Sequence, residues 1–268
     1  MPFDLGIIGA GNMAEAIVGG LIRAARIPAE RIIVSDPAPQ RREVFKSRWK
    51  IEAVDDNAKA AAQSRLLLLS VKPQMMAAAL DGVAGSIAAD SLIISIAAGV
   101  KCRRIEERLG GKHRVVRVMP NTPMLIGEGA AAICPGRFAT AEDLAEVRKI
   151  FESGAIVIET SEDKMDAVTA LSGSGPAYFF YLVEQLVKAG VEMGLPAEQA
   201  KLLASKTALG AAKMLMDSAL SPEELRKQVT SPGGTTQVAI THLDSANWGQ
   251  AMVNAVKAAQ KRGAELSQ

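Results

Sequence analysis

Apolar positions along the chain follow two rhythms that change over near residue 160. Up to that point, short apolar runs alternate with helical patterns. Strands are predicted at Phe3–Ile8, Arg31–Ser35, Arg65–Val71, Ser91–Ile96, Val115–Met119, Ala130–Ile133 and Ala155–Ile158. Helices are predicted at Asn12–Ala25, Pro39–Trp49, Gln74–Leu80, Lys101–Leu109 and Ala141–Phe151. Runs such as Leu66-Leu67-Leu68-Leu69 and Leu92-Ile93-Ile94 have no polar alternate positions, as expected of strands covered by helices on both faces. Alternating β and α units predict an α/β fold with a mostly parallel, Rossmann-type doubly wound sheet.

After Ile158, helical periodicity dominates, with helices predicted at Ala177–Met193, Ala197–Asp217, Pro222–Val229 and Asn247–Leu266. Gly194-Leu195-Pro196 stops one helix and restarts another, while Ser221-Pro222 supplies a capping hydroxyl and a first-turn proline. The expected division is residues 1–160 as a sheet domain and 161–268 as an all-α domain. The helical part is rich in Ala, Leu and Met and poor in charge, which fits either a helical core or a face buried against a second subunit.

Composition narrows the function classes. Of 268 residues, 49% are hydrophobic, 22% charged and 4% aromatic, so a disordered chain is excluded. Residues 1–160 carry 21 Lys and Arg against 18 Asp and Glu, and the remainder carry 10 against 11. Neither part has the basic excess of a nucleic-acid binder or a membrane anchor. No basic segment precedes the first strand, and Gly and Pro interrupt the longest uncharged stretch, so a cytoplasmic protein is expected. Two His and two Cys without CxxC spacing argue against a zinc site or a disulfide framework. Cys102 and Cys134 are expected as small core or surface thiols, and His113 as a solvated turn residue. His242 falls on a helix near a hydroxyl-rich loop.

Gly9-Ala10-Gly11-Asn12-Met13-Ala14 follows the first strand and opens the first helix, fitting G-x-G-x-x-G/A. Gly9 permits a tight turn, Gly11 lets the backbone approach a pyrophosphate, and Ala14 lets helix and strand pack closely. Helix N–H groups then face the phosphates. The second strand ends at Asp36, a carboxylate that favours NAD by accepting from ribose hydroxyls and repelling a 2′-phosphate. Arg41 and Arg42 pull towards NADP if either folds back, and the residues leave both dinucleotides open. Small residues and prolines recur at later strand ends: Ser70-Val71-Lys72-Pro73, Ser95-Ile96-Ala97-Ala98-Gly99 and Met119-Pro120-Asn121-Thr122-Pro123. They read as the floor of a nicotinamide pocket or as turn chemistry.

Two Gly-rich elements mark the helical part. Leu171-Ser172-Gly173-Ser174-Gly175-Pro176-Ala177-Tyr178 is a loop leading into a helix. Ser231-Pro232-Gly233-Gly234-Thr235-Thr236 places two glycines and several hydroxyls at a helix start, where bare N–H groups can hold a carboxylate. With the N-terminal motifs, these elements resemble those of the pyrroline-5-carboxylate reductases over essentially the whole chain. The Ser231–Thr236 stretch is the most specific, since Rossmann enzymes in general lack it.

The resemblance implies reduction of the C=N bond of 1-pyrroline-5-carboxylate to L-proline, the last step of proline biosynthesis, usually with NADPH and sometimes NADH. It also implies interlocked helical domains in homodimers that associate further, as far as a decamer. By the same resemblance, Thr236 meets the ring nitrogen, and Ser231, Gly234 and Thr235 hold the substrate carboxylate. Glu162 lies near the substrate. Ile8, Gly9, Ala10, Gly11, Asn12, Met13, Asn57, Val71, Lys72, Ala98 and Gln228 contact the cofactor. Asp36 departs from the small hydroxyl residue often found beside the 2′-phosphate, which weakens NADPH as the default.

Two other functions compete. A β-hydroxyacid dehydrogenase shares the architecture but needs a basic Lys early in the helix after the Gly-rich loop, where this chain has Ala177-Tyr178-Phe179-Phe180-Tyr181 and no Lys before Lys188. A dinucleotide-sensing scaffold would keep Gly9–Ala14 without requiring Ser231–Thr236. Saturable cofactor oxidation separates the scaffold from an enzyme.

Overall fold

The computed structural model describes residues 2–266. Alternating elements build the first part: β1 (Phe3–Ile8), α1 (Asn12–Arg23), β2 (Ile32–Ser35), α2 (Pro39–Trp49), β3 (Glu52–Val54), α3 (Asn57–Ala62), β4 (Ser64–Leu69), α4 (Met76–Asp81), β5 (Leu92–Ser95), α5 (Cys102–Arg108), β6 (Arg114–Met119), β7 (Gly129–Pro135), α6 (Ala141–Phe151) and β8 (Ala155–Glu159). Short helix α7 (Met165–Val168) follows. Then come α8 (Gly175–Glu192), α9 (Ala197–Asp217), α10 (Pro222–Gln228), α11 (Thr235–Ser245) and α12 (Trp248–Leu266).

The eight strands form one sheet in the order β3-β2-β1-β4-β5-β6-β7-β8. The first six positions give the doubly wound order, whose topological switch point lies between β1 and β4. Every pairing is parallel except β6 with β7. Chain length explains that reversal: only Pro120–Glu128 joins the two strands, too few residues for the crossover that parallel neighbours need. The next connection contains α6, and β8 returns parallel to β7.

The four-leucine run shows why no polar alternation was needed. Leu66 and Leu68 of β4 enter one core with Ile17, Phe45 and Phe151. Leu67 and Leu69 enter the opposite core with Leu80, Ile93 and Ile105. Successive side chains point to opposite faces, and helices cover both.

Two compact units emerge. One comprises the described residues through Ser174 together with those from Ala259 onward, and the other is Gly175–Ala258. Segment 161–174, expected with the helices, packs on the sheet: Met165 is buried with Ala132 and Cys134, and Asn121 Nδ2 donates to the Ser172 carbonyl at 3.1 Å. The expected loop at Leu171-Ser172-Gly173 is instead part of a π-helical turn, Thr169–Gly173, a wide turn that often marks functional segments. In Gly175–Ala258, α8 and α9 form a hairpin in which a Cβ on Gly190 would come within 2.9 Å of Ala200 Cβ. No helix among the described residues is long and apolar enough to cross a membrane.

Candidate functional site

The predicted residues fall into two groups, one in each unit. The sheet-unit group gathers at the C-terminal strand ends. Ile8 closes β1, and Gly9 turns the chain with φ +97°. A Cβ there would lie 2.7 Å from the Ser70 carbonyl oxygen, so both the dihedral and the close approach require glycine. Gly11 differs: a Cβ on it would meet nothing within 4 Å. It caps α1 without any side-chain hydrogen bond, leaving first-turn N–H groups open beside empty space. Asn12 and Met13 form that first turn.

Asp36 follows β2 and clamps the loop. Its Oδ2 accepts from the Ala10 N–H at 2.8 Å and its Oδ1 from the Ala38 N–H at 2.8 Å. Both arginines fold back. Arg41 Nε donates to the Ala10 carbonyl at 2.5 Å and Arg42 Nη1 to the Asp36 carbonyl at 2.7 Å. The Asp36 carboxylate therefore sits on a loop ringed by two guanidinium groups. Ser35 donates its hydroxyl to Asn57 Oδ1 at 2.7 Å, leaving the amide NH₂ as that side chain's donor. Val71 is half-buried and Lys72 exposed beyond β4, and Ala98 is half-buried beyond β5.

These features fit a dinucleotide: a glycine fixed by strain and contact, a second one facing open space, an uncapped twelve-residue helix, and a carboxylate at the end of β2. Asn121, once a candidate for the pocket floor, is spent on structure. Its Oδ1 accepts from the Ala130 N–H at 2.9 Å, while its Nδ2 holds Ser172.

Sequence reading missed a buried charge cluster. Arg117, in the middle of β6, is only 2% exposed and faces Glu162 Oε1 at 3.6 Å and Asp166 Oδ1 at 3.7 Å. A lone cation within Val115-Val116-Arg117-Val118 was the available signal, because a buried charge needs a partner. Glu162 Oε1 also accepts from the Cys102 N–H at 2.7 Å. Cys102 and Cys134 are both buried free thiols. The hydrogen bond to Cys134 and then burial push the Cys102 thiol well above its ordinary range, and the same bond draws Cys134 down. His113 is not fully solvated, since its Nδ1 is buried without a hydrogen-bond partner.

The helical-unit group centres on the start of α11. Gly233 takes φ +72°, and Gly234 caps the helix with its N–H bonded to the Ser231 carbonyl at 3.0 Å. No side chain caps α11, so the N–H groups of Thr235 and Thr236 stand at an open helix end with their hydroxyls alongside. Gln237 Oε1 accepts from the Gly233 N–H at 2.5 Å and stiffens the turn. His242 is exposed on the same helix, lining an open depression with Thr235 and Val238. Gln228 is the exposed last residue of α10. Lys188, exposed and within 4.0 Å of Glu192, lies near the C-terminal end of α8, and no Lys precedes it in that helix.

Comparison with known proteins bears on both groups. The family described as pyrroline-5-carboxylate reductase dimerisation matches residues 162–266, and the NADP oxidoreductase coenzyme F420-dependent family matches residues 4–99. A pyrroline-5-carboxylate reductase of Pseudomonas aeruginosa is 41% identical over 265 residues, covering 98% of this chain and 97% of the relative. One from Arabidopsis thaliana is 40% identical, covering 99% and 96%. Among solved structures, the Coxiella burnetii pyrroline-5-carboxylate reductase is 36% identical with a TM-score of 0.91, covering all of both chains. The Plasmodium falciparum pyrroline carboxylate reductase, with NADP bound, is 31% identical with a TM-score of 0.90, covering 99% of this chain and 98% of that one. Full-length identity at this level, joined to a dinucleotide loop and an open α11 terminus, shows that the chain belongs to the pyrroline-5-carboxylate reductase family.

Proposed function

We propose that the protein reduces the C=N bond of 1-pyrroline-5-carboxylate to L-proline with NAD(P)H, the last step of proline biosynthesis. The observation that carries this reading is the uncapped start of α11, where the Gly233-Gly234 turn leaves the N–H groups of Thr235 and Thr236 without a side-chain cap, next to two threonine hydroxyls. Such an end suits a substrate that is an anion with a hydrogen-bonding ring nitrogen. Ser231, Gly234 and Thr235 hold the carboxylate, and the Thr236 hydroxyl meets the ring nitrogen. Glu162 is the acidic group on the substrate side. Gly9 to Met13 and the start of α1 cradle the pyrophosphate. Asp36 and Asn57 face the adenosine ribose, and Val71, Lys72, Ala98 and Gln228 complete the cofactor contacts.

A nicotinamide cofactor held at the Gly9–Met13 loop would supply a hydride to the imine carbon. The protein's own contribution is to fix the imine in place and to settle the proton at its nitrogen. An imine is already electrophilic and is protonated more readily than a ketone. A threonine Oγ1 that donates one hydrogen bond therefore suffices where a ketone reductase needs a stronger acid. NADP(H) is the proposed cofactor, with NAD(H) also accepted, because Arg41 and Arg42 fold onto the loop that carries Asp36. The chain acts as a homodimer paired through its helical unit.

Initial rates with 1-pyrroline-5-carboxylate and NADPH or NADH test the reading, with saturable cofactor oxidation as the expected result. Thr236→Ala should lower kcat by about one to three orders of magnitude, the range of a lost positioning or proton-transfer group. Full turnover in that variant would remove Thr236 from the reaction.

A further inference from the structure

Two buried thiols and a carboxylate converge at one point of the sheet unit, and the reduction makes no use of the thiols. Cys102 begins α5, Cys134 lies on β7, and Glu162 opens the turn ahead of α7. One ligand atom from each lies within 4.8 Å of the others. The Cys102 backbone N–H also donates to Glu162 Oε1 at 2.7 Å, which ties the carboxylate to the start of α5. Cys102 and Glu162 also line an open cavity of about 610 Å³ beside Gly136 and Arg137, which gives a small ion a path in.

We propose that Cys102, Cys134 and Glu162 form a binding site for a thiophilic divalent cation, Zn²⁺ in the cell, with a water in the fourth position facing the cavity. Two sulfurs and one carboxylate select zinc over magnesium or calcium, which prefer all-oxygen sites. Around a tetrahedral zinc with 2.3 Å bonds to sulfur, ligand sulfurs stand about 3.8 Å apart. Starting within 4.8 Å of one another, the two sulfurs need to close by about 1 Å at most and a sulfur and the carboxylate oxygen by about 1.3 Å. On binding, each thiol releases its proton to solvent as its sulfur bonds the metal. Two protons leave and one divalent ion enters, so the charge beside Arg117, Glu162 and Asp166 is unchanged. The Cys102 N–H already orients the carboxylate through its bond to Glu162 Oε1, as an outer-shell partner does. Three protein ligands and an open position describe an exchangeable site rather than a structural one. Metal binding would also draw Glu162 away from substrate. That inhibitory consequence rests on the proposed reductase activity, whereas the binding itself does not.

The test uses the full chain, stripped with a chelator and kept reduced by a phosphine, titrated with Co²⁺. One equivalent should give a sulfur-to-cobalt charge-transfer band and tetrahedral visible bands, both displaced by Zn²⁺. Cys134→Ser should lose the charge-transfer intensity while still binding NADPH, which shows that it is folded. Glu162→Gln should keep thiolate-to-cobalt intensity but bind Co²⁺ at least about tenfold more weakly. No band in a wild-type chain with two titratable thiols would overturn the proposal. So would a Cys102–Cys134 disulfide that resists the phosphine, a band surviving Cys134→Ser, or unchanged Co²⁺ affinity in Glu162→Gln.

Discussion

The sheet unit and the helical unit solve the burial problem in opposite ways. The sheet places apolar side chains on both faces and covers each with helices of the same unit, giving two cores. In Gly175–Ala258, Ala200 is the single buried hydrophobic residue among those described. Phe180 is 70% exposed, Leu202 70% and Met216 72%. Helices this apolar gain little by folding alone, because most helical stability comes from packing an amphipathic face. The first unit buries most of its apolar side chains within one chain, with Ile156 and Ile158 of edge strand β8 left exposed, while the second leaves nearly all of its apolar side chains at least partly uncovered. The family matched over residues 162–266 is described as a dimerisation family, which supports the proposed homodimer.

The largest predicted effect breaks this contrast. Leu202, Leu209 and Met216 recur every seven residues on α9, a single exposed stripe. Burying a leucine is worth about 1.5–3 kcal/mol, and a twofold interface counts each substitution twice. Leu202→Glu with Leu209→Glu should therefore raise the dimer dissociation constant by about four orders of magnitude or more. Sedimentation velocity over a concentration series reads this directly. A dimer unchanged in that double variant would show that the stripe faces something other than a partner.

The same contrast explains what the sequence could reveal. Continuous apolar runs such as Leu66–Leu69 showed strands covered on both faces, and α2, α6 and α9 were read with their bounds intact. β3 and α3 escaped because three and six residues carry too little periodicity. The reversal of β7 escaped because an apolar pattern has no direction. Gly9 and Gly11 were legible as a motif. Their different jobs were not, since one depends on the Ser70 carbonyl and the other on empty space. The Asp36 clamp needed tertiary structure, because its partner is the Ala10 N–H, which no side-chain pattern signals. The roles at Ser231–Thr236 came from resemblance; the residues alone said only that a helix end was left open.

Those two glycines sharpen the picture within the sheet unit. Gly9→Ala forces a Cβ onto a φ of +97° and against the Ser70 carbonyl, so it should destabilise the fold by about 1–3 kcal/mol. Gly11→Val meets no protein atom at its Cβ and should leave the melting temperature within about 2 °C. It should instead weaken dinucleotide binding by about ten- to a hundredfold, by filling the space reserved for phosphates. Thermal unfolding and cofactor titration on both variants separate the effects. Equal loss of stability in the two would mean that the loop is merely structural.

The smallest effect concerns Asp36, which clamps the loop and, in the proposed assignment, faces the adenosine ribose. Its carboxylate opposes a 2′-phosphate by charge and also holds the Ala10 and Ala38 N–H groups. Asp36→Ser removes the charge, shortens the acceptor and frees the surroundings of Arg41 and Arg42. The ratio of kcat/KM for NADPH to that for NADH should rise by about tenfold, equivalent to about 1.4 kcal/mol at the ribose. Asp36→Asn keeps one carbonyl acceptor at nearly the same length and should shift the ratio in the same direction while better preserving the loop. If charge governs the choice, the two variants move the ratio together even though their stabilities differ. If only Asp36→Ser moves it, the clamp rather than the charge sets cofactor preference, and the arginines lose their assigned part.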